Sequence, residues 1–133
     1  MNESARLLVR TRAGDRCEYC RLPHSAVAFV QFHVDHVIAP QHGGTDDPEN
    51  LAFACNRCNA FKGTNLAALD SETRMVVRLF DPRNQRWSDH FHQLGFEILG
   101  LTAIGRATVQ LLNLNAIERV QLREECNLRL DTL

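Results

Sequence analysis

Two Cys-x-x-Cys pairs, Cys17/Cys20 and Cys55/Cys58, constrain this chain more than any other feature. Each pair brackets a turn that can aim both sulfurs at one ion, and four thiolates are a usual ligand set of structural Zn2+. The alternative is two buried pairs of reduced thiols without metal. With all four positions taken by cysteine, no coordination position stays open, so such a zinc is structural and not catalytic. It would clamp an N-terminal knuckle against the start of a helix and contribute its binding free energy to folding. The stretch 21–54 between the pairs is longer than the spacer of a simple zinc ribbon. It has room for a strand, a loop and a second strand. The fifth cysteine, Cys126, lies in a predicted helix and reads as a small core hydrophobe.

At 133 residues the chain has the length of one domain, with a core that needs no disulfides. An odd cysteine count argues for metal over disulfides. MNESARLLVRTRAGDR has no apolar leader, and no apolar run is long enough to span a bilayer. A cytoplasmic protein with reduced thiols and no membrane association is expected. A net charge of −1 excludes strong non-specific binding to nucleic acid by bulk charge. The basic residues are 14 Arg and one Lys. Arg makes bidentate contacts to phosphate and to carboxylate, so the bias suits phosphate recognition and surface salt bridges alike.

Along the chain, residues 3–13 read as a helix capped by Ser4, with Leu7 and Leu8 inward and Gly14 as its stop. Arg6, Arg10 and Arg12 would share a face open to solvent or to phosphate. Residues 27–35 read as a strand, Gln41 to Glu49 as a loop, and Leu51 to Ala54 as a second strand. A helix capped by Asn56 follows, carrying Cys58, Asn59 and Lys62, and Leu66 to Leu69 extend the helical pattern. Residues 71–80 fit a helix started by Ser71, and 81–84 a turn. Trp87 to His92 alternate as a strand that turns at 93–95 into a second strand over 96–101. Thr102 caps a helix over 103–112, and Asn115 caps another over 116–129.

The chemistry concentrates in HVDHVIAPQHGGTDDPENLAFACNRCNAFKG, from His33 to Gly63. Phosphodiester cleavage needs an activated water, a cation on the phosphate and help for the leaving oxygen. His36 is the natural general base, since imidazole ordinarily titrates near neutrality. Asp35 is a hard oxygen donor suited to Mg2+, and the Asn59 amide oxygen is another. Neighbours on a regular strand point to opposite faces, so Asp35 and His36 share a site only where the strand ends or kinks. Lys62 and Arg57, near the helix, are candidates for phosphate contact.

Asp35-His36, Pro40, Gly43-Gly44, Asn50-Leu51 and Cys55-x-x-Cys58-Asn59-x-x-Lys62, in this order, resemble the HNH endonucleases with their ββα-metal core. The resemblance spans roughly residues 14–65. It implies an α+β fold: an HNH core over 1–70 stabilised by a four-cysteine zinc site, with a C-terminal hairpin-plus-helices extension over 71–133 packed on it. It implies a metal-dependent DNA endonuclease acting on double-stranded DNA, with one divalent ion shared by Asp35 and Asn59 and with Asn50 holding the loop that aims His36. Asn59 stands where the family's last His often does, which favours Mg2+ over Zn2+ at the reactive site. One such site nicks one strand; double-strand cleavage would need a homodimer or a second binding event. LFDPRNQRWSDHF and LTAIGRAT resemble an extension of small stand-alone bacterial HNH proteins. There Arg83, Arg86 and Arg106 would offer a DNA-contacting patch, with Trp87 stacking on DNA or packing in the core. The competing reading is a zinc-stabilised DNA- or protein-binding module without catalysis, which would need none of Asp35, His36, Asn50 and Asn59.

Overall fold

The computed structural model describes residues 2–130; positions 1 and 131–133, at the ends of the two expected segments, lie outside them. The first helix, α1 (Glu3–Arg12), is capped by Asn2 and not by Ser4: Asn2 Oδ1 accepts from the Ala5 amide at 2.8 Å. Its inward stripe is Ala5, Val9 and Ala13, with Val9 fully buried, while Leu7 and Leu8 are exposed. This corrects the expected facing. Arg12 sets the rotation, donating to the Pro48 and Leu51 carbonyls at 3.0 and 2.6 Å, and the small residues of the stripe then face β2.

The centre of the molecule is a ββα unit. Strand β1 (His33–His36) pairs antiparallel with β2 (Leu51–Ala54), with His36 opposite Leu51 and His33 opposite Ala54. Helix α2 (Asn56–Lys62) follows at once. The strand expected over 27–35 is shorter for a physical reason: β2 ends at Ala54, where Cys55 turns into α2, so residues before His33 have no partner. Val27 instead closes a 3-10 turn over His24–Val27, residues 28–32 are irregular, and the His24 ring bonds the Val30 carbonyl at 2.9 Å. The cap of α2 is Cys55, whose sulfur accepts from the Cys58 amide; Asn56 is the first helical residue.

The residues after 65 differ more from expectation. No helix forms over 66–69 or 71–80. Strand β3 (Ala67–Leu69) pairs with β4 (Val76–Arg78). The Asp70 carboxylate captures the amides of Glu72 and Thr73 and the Thr73 hydroxyl, folding the chain back before a helix can start. Arg74, at φ 63, completes the turn. Trp87–His90, expected as strand, is a single helical turn, α3, and the hairpin begins after it: β5 (Phe91–Leu94) pairs with β6 (Glu97–Gly100) around Gly95. Thr102 caps α4 (Ala103–Leu111) as expected, accepting from the Gly105 amide at 3.0 Å. A Cβ at Gly105 would clash with the His90 carbonyl oxygen, so only glycine lets α4 approach the end of α3 this closely. Helix α5 (Ile117–Glu125) ends earlier than expected. Asn115 does not cap it; its amide brackets Ile98, accepting from the N–H and donating to the carbonyl. Cys126 follows α5 and is exposed, which corrects its reading as a core residue.

One apolar core joins the ββα unit to the later elements, running from Val9, Phe32 and Phe53 to Phe80, Trp87, Phe91 and Leu112. Trp87 is part of this core, and its Nε1 donates to the Tyr19 carbonyl at 2.8 Å.

Candidate active site and metal centre

Four sulfurs meet between the knuckle and the start of α2. The Sγ atoms of Cys17, Cys20, Cys55 and Cys58 all lie within 4.8 Å of one another, and all four residues are buried. Each pair closes alike: the Cys20 amide donates to Cys17 Sγ and the Cys58 amide to Cys55 Sγ, both at 3.4 Å. Burial pushes the Cys17 and Cys58 thiols well above their ordinary range, while hydrogen bonds from the neighbouring thiols hold Cys20 well below. Four soft donors converging with no exposed position fit a closed structural zinc site.

A second constellation lies at the end of β1. Strand β1 ends at His36, where the condition for a shared site is met: Asp35 turns inward to Tyr19 and Lys62, and His36 turns outward to Asp46. The His36 side chain is 23% exposed, and its Nε2 meets Asp46 Oδ1 at 2.8 Å. An ionised carboxylate only accepts, so Nε2 is the donor, and in the neutral imidazole the free lone pair is then on Nδ1. Asn50 bolts the intervening loop: it donates to the Ile38 and Thr45 carbonyls at 2.9 and 2.8 Å and accepts from the Ile38 amide at 2.9 Å. Gly44 belongs to the same bolt, since a Cβ there would lie 1.6 Å from the Ile38 carbonyl oxygen.

Residues 17–65 match the HNH endonuclease family. They are an HNH domain. No curated protein and no solved structure matches the chain.

Within the HNH domain, Asp35 is 5% exposed. Its Oδ2 accepts from the Tyr19 hydroxyl at 2.7 Å and meets Lys62 Nζ at 3.1 Å; Oδ1 has only a 3.4 Å contact to the same ammonium. Burial pushes the Asp35 carboxyl up, against the pull of Lys62 and Tyr19. Burial, then the Asp35 charge, pushes the Tyr19 phenol well up. Asn59 is half-buried on α2, and its side chain has no protein hydrogen-bond partner among the described residues.

The expected phosphate contacts divide. Lys62 is corrected: it is 2% exposed, and Nζ turns inward to Asp35 and to the His36 carbonyl at 2.9 Å. Arg83 is corrected too: its guanidinium pairs with Glu18, whose other oxygen holds the Phe53 amide. Arg106 likewise turns to Asp70 and Glu72. Arg57 is exposed, with Nη1 on Glu118 at 2.8 Å, and Arg86 is exposed. Sequence reasoning missed Asp46 and Tyr19. Asp46 carries no local mark beyond a Thr-Asp-Asp turn, and Tyr19 reads only as filler inside a Cys-x-x-Cys. Among the described residues no helix is long and apolar enough to cross a membrane.

Proposed function

We propose that the HNH domain hydrolyses phosphodiester bonds of double-stranded DNA, nicking one strand per site, with His36 as general base. The observation that carries this reading is the partly exposed His36 imidazole, oriented by Asp46 through Nε2 and backed by the Asn50-bolted loop. Nδ1 takes a proton from water, the water oxygen bonds to phosphorus, and the bond from phosphorus to the 3′ oxygen breaks. The 3′ oxygen leaves with the bonding electron pair and takes a proton from solvent water, giving 5′-phosphate and 3′-hydroxyl ends, and the His36 imidazolium returns its proton to solvent. Asp46 acts by orienting the imidazole.

Zn2+ is the ion we assign to the four sulfurs. For a catalytic Mg2+, the donor chemistry fits Asp35 Oδ1, the less engaged carboxylate oxygen, and the Asn59 amide oxygen. Bound there, a divalent ion would supply positive charge to the scissile phosphate. Lys62 shares the Asp35 carboxylate and competes with it. Arg57 and Arg86 are the exposed guanidiniums we assign to the DNA backbone. We place the boundary of core and extension near residue 70 and the protein in the cytoplasm, with dimerisation as the route to double-strand cuts.

The test is cleavage of supercoiled plasmid with Mg2+ and with EDTA, alongside His36→Ala. Nicking that needs the ion and falls by about 100-fold or more in the variant is expected. Undiminished nicking by His36→Ala refutes the assignment of the base. A folded, zinc-loaded protein that binds DNA and never cuts it would be the binding module instead.

A further inference from the structure

The family motif ends at residue 65, yet the sulfur cluster has a neighbour far beyond it. Arg119 and Arg123 lie on consecutive turns of α5 and are 7% and 3% exposed. Arg119 Nη2 donates to Cys58 Sγ at 3.1 Å and reaches Cys55 Sγ at 3.8 Å. Its Nη1 is fixed by the Leu112 carbonyl at 2.7 Å. Arg123 lies one turn further along α5, held by the Phe96 and Leu114 carbonyls at 3.0 and 2.5 Å. Buried guanidiniums are costly without an anionic partner. Among the described residues no carboxylate forms a salt bridge with either of them, and the side-chain atoms that Arg119 Nη2 meets are the Cys58 and Cys55 sulfurs. A Zn2+ ion with four thiolates carries about two negative charges, which the two guanidiniums balance.

We infer that Arg119, supported by Arg123, is the outer-sphere cation of the zinc centre, and that this contact makes the metal site the joint between the HNH domain and α5. Ligand neighbours of this kind orient and stabilise the atoms that hold the metal. The extension thus has a role that its own sequence does not advertise: it completes a metal centre whose four ligands all lie in the HNH domain. The inference rests on zinc occupancy and is independent of cleavage.

The experiment is zinc retention by the full chain against a colorimetric chelator, in wild type, Arg119→Met and Arg119→Lys. Zinc content is measured first, and the fold is checked by the fluorescence of the buried Trp87. Arg119→Met is expected to weaken zinc retention by about 10- to 100-fold, and Arg119→Lys, which keeps a cation, to recover part of the loss. A folded Arg119→Met that holds zinc as tightly as wild type overturns the inference, and so does a wild-type chain that holds none. Should Arg119→Met fail to fold, hydrogen exchange of the wild type decides. Stripping zinc is expected to speed exchange across 117–125 by about tenfold or more relative to 103–111, as local opening predicts. Unchanged protection of α5 after zinc removal overturns the inference as well.

Discussion

Two buried aspartates, one in the HNH domain and one in the extension, are served very differently. Asp70 accepts five hydrogen bonds: two from Arg106 at 2.8 and 3.0 Å, the Thr73 hydroxyl at 2.7 Å, and the Thr73 and Glu72 amides at 3.1 and 3.4 Å. Asp35 accepts from Tyr19 at 2.7 Å and otherwise has only the Lys62 ammonium, at 3.1 and 3.4 Å. The Arg106 donors hold Asp70 well below the carboxylate range, whereas burial lifts Asp35 from its ordinary value. A carboxylate with every lone pair met is a fastener, here tying the β3–β4 turn to α4. A carboxylate left short of donors keeps capacity for another cation or a proton, and this one adjoins the candidate base.

Cutting the cation away from each acid tests the comparison most strongly. Lys62→Met strands a buried carboxylate and should cost about 3–5 kcal/mol of stability, read as a lower midpoint in chemical denaturation. Arg106→Met should cost less, because Asp70 keeps three other donors. Equal losses would mean that donor supply is not what separates the two sites.

Next in size is the effect on chemistry. Asp35→Asn should lower plasmid nicking by about 100-fold, while Asp70→Asn, whose carboxylate meets only Glu72, Thr73 and Arg106, leaves it within about twofold. If both variants, folded at the assay temperature, lost activity alike, Asp35 would be a fastener too.

The smallest effect sharpens the contrast through pH. The folded Asp70 carboxyl is held below its unfolded value of about 3.9, so its stabilisation is present above that value and is lost as pH falls through the folded one. Asp70→Asn should therefore melt lower than wild type at pH 7, with the gap closing in acid. A gap that persists unchanged below pH 2 would show that the Asp70 contribution is steric and not ionic.

The ββα unit was legible because its signals are local. Cys-x-x-Cys, Asp-His, Gly-Gly and Asn-Leu each act over a few residues, and β2 falls at 51–54 as read. The extension was harder. SETRMVVRLF has a good helical pattern, but Asp70 just before it supplies a turn that wins. The pattern over 27–35 has strand propensity, but β2 offers pairing for only four residues. Asn115 looks like a cap, yet Ile98, 17 positions back, claims its amide. Propensity lost each time to a partner outside the window that measured it.

By itself the sequence determined the order of the chemistry: four convergent cysteines, an imidazole at a strand end and the asparagine that bolts the loop after it. The motifs that mark such features are short, since each Cys-x-x-Cys is closed by its own backbone turn. Only the tertiary structure decided which charges face water. Lys62 and Arg83 read in sequence as cations free to meet DNA, and nothing in the sequence marks Arg119. Their partners lie 27, 65 and 61 positions away, in Asp35, Glu18 and Cys58. The free energy of a charge depends on the dielectric around it and on the nearest opposite charge, and chain folding alone sets both.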